Sequence, residues 1–187
     1  MLGASAFFAY KIYEHIQTLQ DPAESNDGRS ADAFSTFDAS SLIAKADEEM
    51  EKGDYQKALA IYTEANIKAP KDAETLFKIG YALMKQDRDD EAIERYKEAL
   101  ELDPNNTYIH QAMASLYRKM HEYASARNHL NASLQIDDKN PITYYNYGNL
   151  LVDMQHFDEA KEMYKKALEL DAYFKEAEEE LAKLEQK

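Results

Sequence analysis

Slid against itself, the chain falls into register at a step of 34 residues, a constraint that few folds satisfy. Ala58, Ala92, Ala126 and Ala160 stand one step apart, and so do Ala46, Gly80, Ala114 and Gly148. The column Tyr62, Tyr96, Leu130, Tyr164 keeps the same step, as does Ala65, Ala99, Ser133, Ala167. Self-similarity at a fixed period of about 20 to 50 residues marks a solenoid or array, in which each unit buries its apolar face only against its neighbours. The columns place the repeats at 39–72, 73–106, 107–140 and 141–174.

Each repeat reads as two antiparallel helices. Where such helices cross closely, Gly or Ala on one lets the backbone of the other approach, and large residues fill the space beside it. In the second repeat the large residues are Leu76, Ile79, Leu83, Tyr96, Leu100 and Leu102, spaced by three and four as helix faces require. Asp103, Pro104, Asn105 and Asn106 break one helix and offer caps to the next, and Asn140 before Pro141 is an N-cap followed by proline at the first helical position. Turns inside the repeats fall at Gly53 and Asp54, Asp87 to Asp89, His121 and Glu122, and Gln155 and His156. Only 4 prolines and 5 glycines occur in 187 residues, so the predicted class is all-α.

The second repeat, AETLFKIGYALMKQDRDDEAIERYKEALELDPNN, resembles the tetratricopeptide repeat at Leu76, Ile79, Gly80, Leu83, Ala92, Tyr96, Ala99 and Pro104. The resemblance runs over residues 39–174 and implies a right-handed α-solenoid. Departures fall in the first repeat, where Lys45 and Glu49 replace apolar residues and predict a polar, solvent-facing end, and at Asp138 and Ala172, which replace the closing proline. Residues 175–187 read as a capping helix with Ala177, Leu181, Ala182 and Leu184 on its apolar face.

Before the repeats lie a leader, residues 1–19, and a linker, residues 20–38. The run MLGASAFFAY ends at Lys11, well short of the roughly 20 apolar residues that span a bilayer. Two readings stay open: the end of a membrane anchor or interfacial helix carrying Phe7, Phe8, Tyr10, Ile12, Tyr13 and Ile16, or an apolar leader that docks on the domain or a neighbour. Lys11 favours repeats on the cytoplasmic side, tethered to the inner face of a membrane if the leader is an anchor. The linker is solvated, with Phe34 and Phe37 placed to tuck against the first repeat.

The chain carries 36 acidic against 22 basic residues, a net charge of -14 that disfavours nucleic acid. With no cysteine, thiolate metal sites and cysteine nucleophiles are excluded. The five glycines form no phosphate-cradling loop, and no nucleophile elbow or paired-histidine helix motif is present, so neither enzyme activity nor a cofactor is expected. Carboxylate pairs such as Asp89 and Asp90 read as solvated charge, and His15, His110, His121, His129 and His156 as packing or surface residues rather than metal ligands.

The resemblance implies that the first helix of each repeat lines a concave groove for a protein or peptide ligand. Carried onto this chain, the groove positions are Phe77, Lys78, Tyr81, Met84 and Lys85, then Tyr108, Gln111, Ser115, Arg118 and Lys119, then Ile142, Tyr145, Asn146, Asn149, Val152 and Asp153. Only the third repeat is net positive. Lys78, Lys85, Arg118 and Lys119 thus suggest an acidic ligand, with aromatic contact from Tyr81, Tyr108 and Tyr145 and backbone bonds from Asn146 and Asn149. Family members that clamp an acidic chaperone tail use Lys and Asn in the first repeat, where this chain has Ile43 and Asp47. The expected function is a non-enzymatic adaptor; the alternative is a self-associating structural protein, membrane-tethered if the leader is an anchor.

Overall fold

Four turns of one type set the architecture. The computed structural model describes residues 37–186, so the leader and nearly all of the linker lie outside the described residues. Gly53, Asp87, His121 and Gln155, spaced by the repeat, all adopt positive φ, at 77°, 56°, 61° and 62°. In the second repeat the Asp87 amide donates to the Met84 carbonyl (3.1 Å) and the Arg88 amide to the Leu83 carbonyl (3.1 Å), and the other three repeats form the same bond pair. This left-handed C-terminal cap ends one helix and aims the next back along it.

Among the described residues the elements are α1 (Ala39–Glu51), α2 (Tyr55–Lys68), α3 (Ala73–Met84), α4 (Asp89–Leu102), α5 (Thr107–Lys119), α6 (Tyr123–Ile136), α7 (Pro141–Asp153), α8 (Phe157–Leu170) and α9 (Lys175–Glu185). They form an all-α solenoid of four helical hairpins and a terminal helix. Asp38, Asp54, Asp72, Asn106 and Asn140 accept bonds from amides of the first turns that follow them. Packing is closest within each hairpin, and the first helices α3, α5 and α7 also touch in succession, which puts them on one surface.

The repeating columns form the core. Ala58, Ala92, Ala126 and Ala160 are all fully buried, as are Tyr96 and Tyr164. A methyl group on Gly80 would stand 2.5 Å from Cε1 of Tyr96, and one on Gly148 would come as near to Tyr164, so as the rings are placed glycine fits there and a larger residue would push them aside. Between repeats three and four a buried polar link runs from the Gln111 amide to Thr143 Oγ1 (2.7 Å), which also contacts Ser133 Oγ (3.0 Å).

Two expectations are corrected. Glu49 is buried rather than solvent-facing: it accepts ion pairs from Lys52 (3.0 Å) and Lys57 (3.1 Å), and the Lys52 bond first, then that of Lys57, hold its carboxyl below the usual range. On α9, Ala177 and Leu184 are buried and Leu181 packs beside Leu184, but Ala182 is exposed, because at 100° per residue it lies about 140° round the helix from Ala177. Phe37 meets the first repeat beneath the Lys45 ammonium, 4.9 Å from its ring centre.

Gly80→Ala is expected to destabilise, because the Tyr96 ring must shift to admit the methyl group: overpacking of about 1–3 kcal/mol, offset by alanine's helix advantage of about 1 kcal/mol, leaves a net loss of up to about 2 kcal/mol that lowers Tm by a few degrees. Gln155→Gly, at a left-handed position, should do the reverse and raise stability by about 0.5–1 kcal/mol in chemical denaturation.

Candidate peptide-binding groove

The first helices carry every residue expected in the groove except Lys85, which caps the end of α3, but the structure uses them differently. Tyr108 on α5 is 62% exposed and Tyr81 on α3 is 38% exposed. Phe77 is half-buried, its ring 5.6 Å from that of Tyr96. Between α1 and α3 lies a cavity of about 370 Å³ bounded by Asp47, Met50, Glu51, Tyr62 and Tyr81, together with Phe77 and Lys78. A second, of about 580 Å³, is bounded by Asp72, Glu74, Asp103, Asn106 and Tyr108 and by the same Phe77 and Lys78. The two adjoin along the first-helix surface, with Phe77 and Lys78 lining both.

Three of the four expected cations are already engaged, each by a carboxylate of a neighbouring repeat. Lys78 bonds both oxygens of Asp47 at 2.7 and 2.8 Å, with Glu74 at 3.6 Å on the other side. Lys119 meets Asp87 at 2.7 Å and Asp89 at 2.8 Å, and Arg118 meets Asp153 at 3.1 Å. The Asp87 bond, then that to Asp89, raise the Lys119 ammonium above its usual range, while Asp87 is lowered. Lys85 lies over the Tyr81 ring, 5.2 Å from its centre. Of the basic surface expected from the sequence, all but Lys85 is thus an inter-repeat ladder of ion pairs.

Further along, the expected residues serve packing. Gln111, expected to face a ligand, is only 6% exposed and is held by Thr143. Its long side chain turns toward α7 because the small, buried hydroxyls of Ser133 and Thr143 leave it a polar partner there. Tyr145 lies between the rings of Tyr164 (6.0 Å) and Phe174 (5.0 Å), and Asn149 accepts from the Tyr164 hydroxyl at 2.8 Å. Ser115 and Asn146 are half-buried. The open groove consequently lies over repeats one to three.

Sequence reasoning passed over the acidic wall made by Asp47, Glu51, Asp72, Glu74 and Asp103. The signal was available: Asp47 and Glu51 stand in the same repeat columns as Tyr81 and Lys85, and Glu74 in that of Tyr108. Tyr62 donates its hydroxyl to Asp47, and burial followed by this bond raises its pKa. Tyr96 has no equivalent acceptor, since Tyr81 occupies the matching position, and its buried hydroxyl is unpartnered.

On the same hairpin as Tyr108, the His129 and His110 Nδ1 atoms approach to 3.0 Å, and His110 Nε2 lies 3.3 Å from the Pro104 carbonyl. A carbonyl only accepts, so Nε2 of His110 carries its proton and His129 Nδ1–H donates to His110. Among the described residues no group of three or more His, Asp and Glu side chains could hold a metal ion, and no helix is long and apolar enough to cross a membrane.

The chain matches the tetratricopeptide repeat over residues 49–116 and again over 104–172. It is 29% identical over 152 residues to RNA polymerase II-associated protein 3 of Rattus norvegicus, covering 81% of this chain and 21% of that protein. It is 36% identical over 88 residues to the TPR repeat-containing thioredoxin TTL4 of Arabidopsis thaliana, covering 47% of this chain and 13% of that protein. The chain therefore spans about a fifth or less of the length of these relatives. Among solved structures it is 31% identical to the first TPR of Spaghetti (RPAP3) bound to the HSP90 peptide SRMEEVD, with a TM-score of 0.58, covering 61% of this chain and 90% of that one. The pilF protein of Pseudomonas aeruginosa, 21% identical with a TM-score of 0.72 over 78% of this chain and 67% of that one, shares the fold. The chain belongs to the tetratricopeptide repeat family.

Burial, and after it the neighbouring His110, push His129 down to about 4. As pH falls below the ordinary value of about 6.5 the unfolded chain takes up this proton while the folded one refuses it, so stability is full above that pH and is lost progressively down to about 4. Denaturation at about pH 7 and about pH 4.5 should show this loss reduced by on the order of 1–2 kcal/mol in His129→Gln.

Proposed function

We propose that this protein is a non-enzymatic adaptor that holds an extended or helical partner segment along the first-helix surface of repeats one to three. The observation that carries the reading is the pair of adjoining cavities around Phe77, with Tyr81 and Tyr108 exposed on their walls. Exposed aromatic residues along a concave surface supply contact area at low entropic cost and dominate interfaces of this kind. The similarity to a TPR structure that holds a peptide supports the same use here. It does not extend to the acidic tail: Ile43 and Asp47 stand where the family's clamp has Lys and Asn, and Asp47 is paired with Lys78. The ligand's acidity, suggested by Lys78, Arg118 and Lys119, loses its support because those groups are engaged within the fold.

The other expected properties rest on less. Self-association would dock the apolar leader, or an exposed end of one stack, on the groove or end of a second copy. A tether to the inner face of a membrane would use residues 1–19 and rests on the sequence alone.

Tyr108→Ala in the full chain removes an exposed ring without touching the core, so Tm should hold within about a degree while affinity for a partner recovered from native extract falls at least about tenfold. A partner retained equally by the variant would place its binding outside the groove.

A further inference from the structure

We propose that the segment held in this groove is basic, with an Arg or Lys side chain lying against Tyr108 and meeting Glu74, and a second reaching Glu51. This inference rests on the adaptor reading above and specifies the chemistry of its partner.

The groove's own charge argues for it. Its two cavities present the carboxylates of Asp47, Glu51, Asp72, Glu74 and Asp103 and a single ammonium, that of Lys78. Lys78 shows what these walls accept. Its ammonium is chelated by Asp47 at 2.7 and 2.8 Å, stands 3.6 Å from Glu74, and lies 6.0 Å from the centre of the Tyr62 ring. A cation set among carboxylates and aromatic rings is therefore already part of the groove, and a ligand cation would extend the same arrangement along it.

The acids are not all equally free. Asp47 is taken by Lys78 and Tyr62, Asp72 caps α3 by accepting from the Thr75 amide (2.9 Å), and Asp103 accepts from Asn106 (3.0 Å). Two carboxylates keep capacity. The Glu74 side chain is 75% exposed, with Lys78 at the far end of ion-pair distance. Glu51 is exposed and, among the described residues, has no basic group within that distance. Beside Glu74, on the wall of the same cavity, the Tyr108 ring carries no stacked ring or cation among the described residues. An open aromatic face next to an underused carboxylate fits a guanidinium, which stacks and pairs at once. The net charge of -14 adds a long-range field that steers a basic segment inward and repels an acidic one.

The test uses the full chain and three labelled nonapeptides built from Leu-Arg-Ala, Leu-Gln-Ala or Leu-Glu-Ala units, titrated by fluorescence anisotropy at low and moderate salt. The expected result is an arginine peptide bound at least about tenfold tighter than the glutamine one, the glutamate peptide weakest, and a preference that shrinks as salt rises. Glu51→Gln with Glu74→Gln should remove most of that preference, Tyr108→Ala should weaken the arginine peptide about fivefold or more, and Tm should move little in either variant. If the glutamine or glutamate peptide binds as tightly and still depends on Tyr108, the groove is a ligand site and the inference about charge is overturned. If the arginine peptide binds but ignores all three substitutions, the groove reading falls together with the inference. Absence of binding by all three peptides also overturns the inference, and the partner-retention experiment with Tyr108→Ala then decides the groove reading separately.

Discussion

Within each repeat a small residue on the first helix faces a large one on the second, and most of the architecture depends on that contact. Gly80 lies under Tyr96 and Gly148 under Tyr164, each so close that a methyl group would overlap the ring. Ala46 shares its repeat with Tyr62, and Ala114 with Leu130, in the same columns. Such close approach lets a thin layer of two helices exclude water, so a chain that is 31% charged can still bury a continuous row of side chains. The left-handed turn at the matching position of every repeat delivers the second helix onto the first at that distance.

The same contact reaches the groove. A second-helix tyrosine long enough to cross beneath the small residue brings its hydroxyl to the first-helix position that looks into the concave surface. Tyr62 meets Asp47 there and Tyr164 meets Asn149, whereas Tyr96 finds Tyr81 and stays unpartnered. Core packing therefore fixes which groove residues are held and which are open. The acidic, aromatic stretch over repeats one to three stays accessible, while the fourth repeat spends Tyr145 and Asn149 on joining α8 and the terminal helix.

Between repeats, ion pairs run from Lys78 to Asp47, from Lys119 to Asp87 and Asp89, and from Arg118 to Asp153. Exposed pairs of this kind contribute only about 0–1 kcal/mol each, so they set register between neighbours more than they hold the stack together. Their functional consequence is larger than their energy. They engage every cation expected in the groove except Lys85, and leave Glu51 and Glu74 on its walls with capacity to spare.

The repeat period, the helix ends and the turn positions were legible in the sequence because each is a local demand that recurs at one spacing: a small residue under a ring, a cap before a helix, a residue that must turn left-handed. The identity of the groove helices followed from the resemblance those residues carry. What single columns could not reveal was pairing across repeats. Gln111 has the polarity of a ligand contact, yet it is buried against Thr143. Glu49 looks like a solvent-facing departure, yet it is buried and paired with two lysines. Lys78, Arg118 and Lys119 read as a basic surface until their aspartate partners, some 30 residues away in sequence, are brought beside them. Sequence by itself determined the solenoid, since its signals lie within one repeat. Only tertiary structure decided the sign and extent of the groove, because electrostatic pairing depends on distances set when one repeat packs on the next.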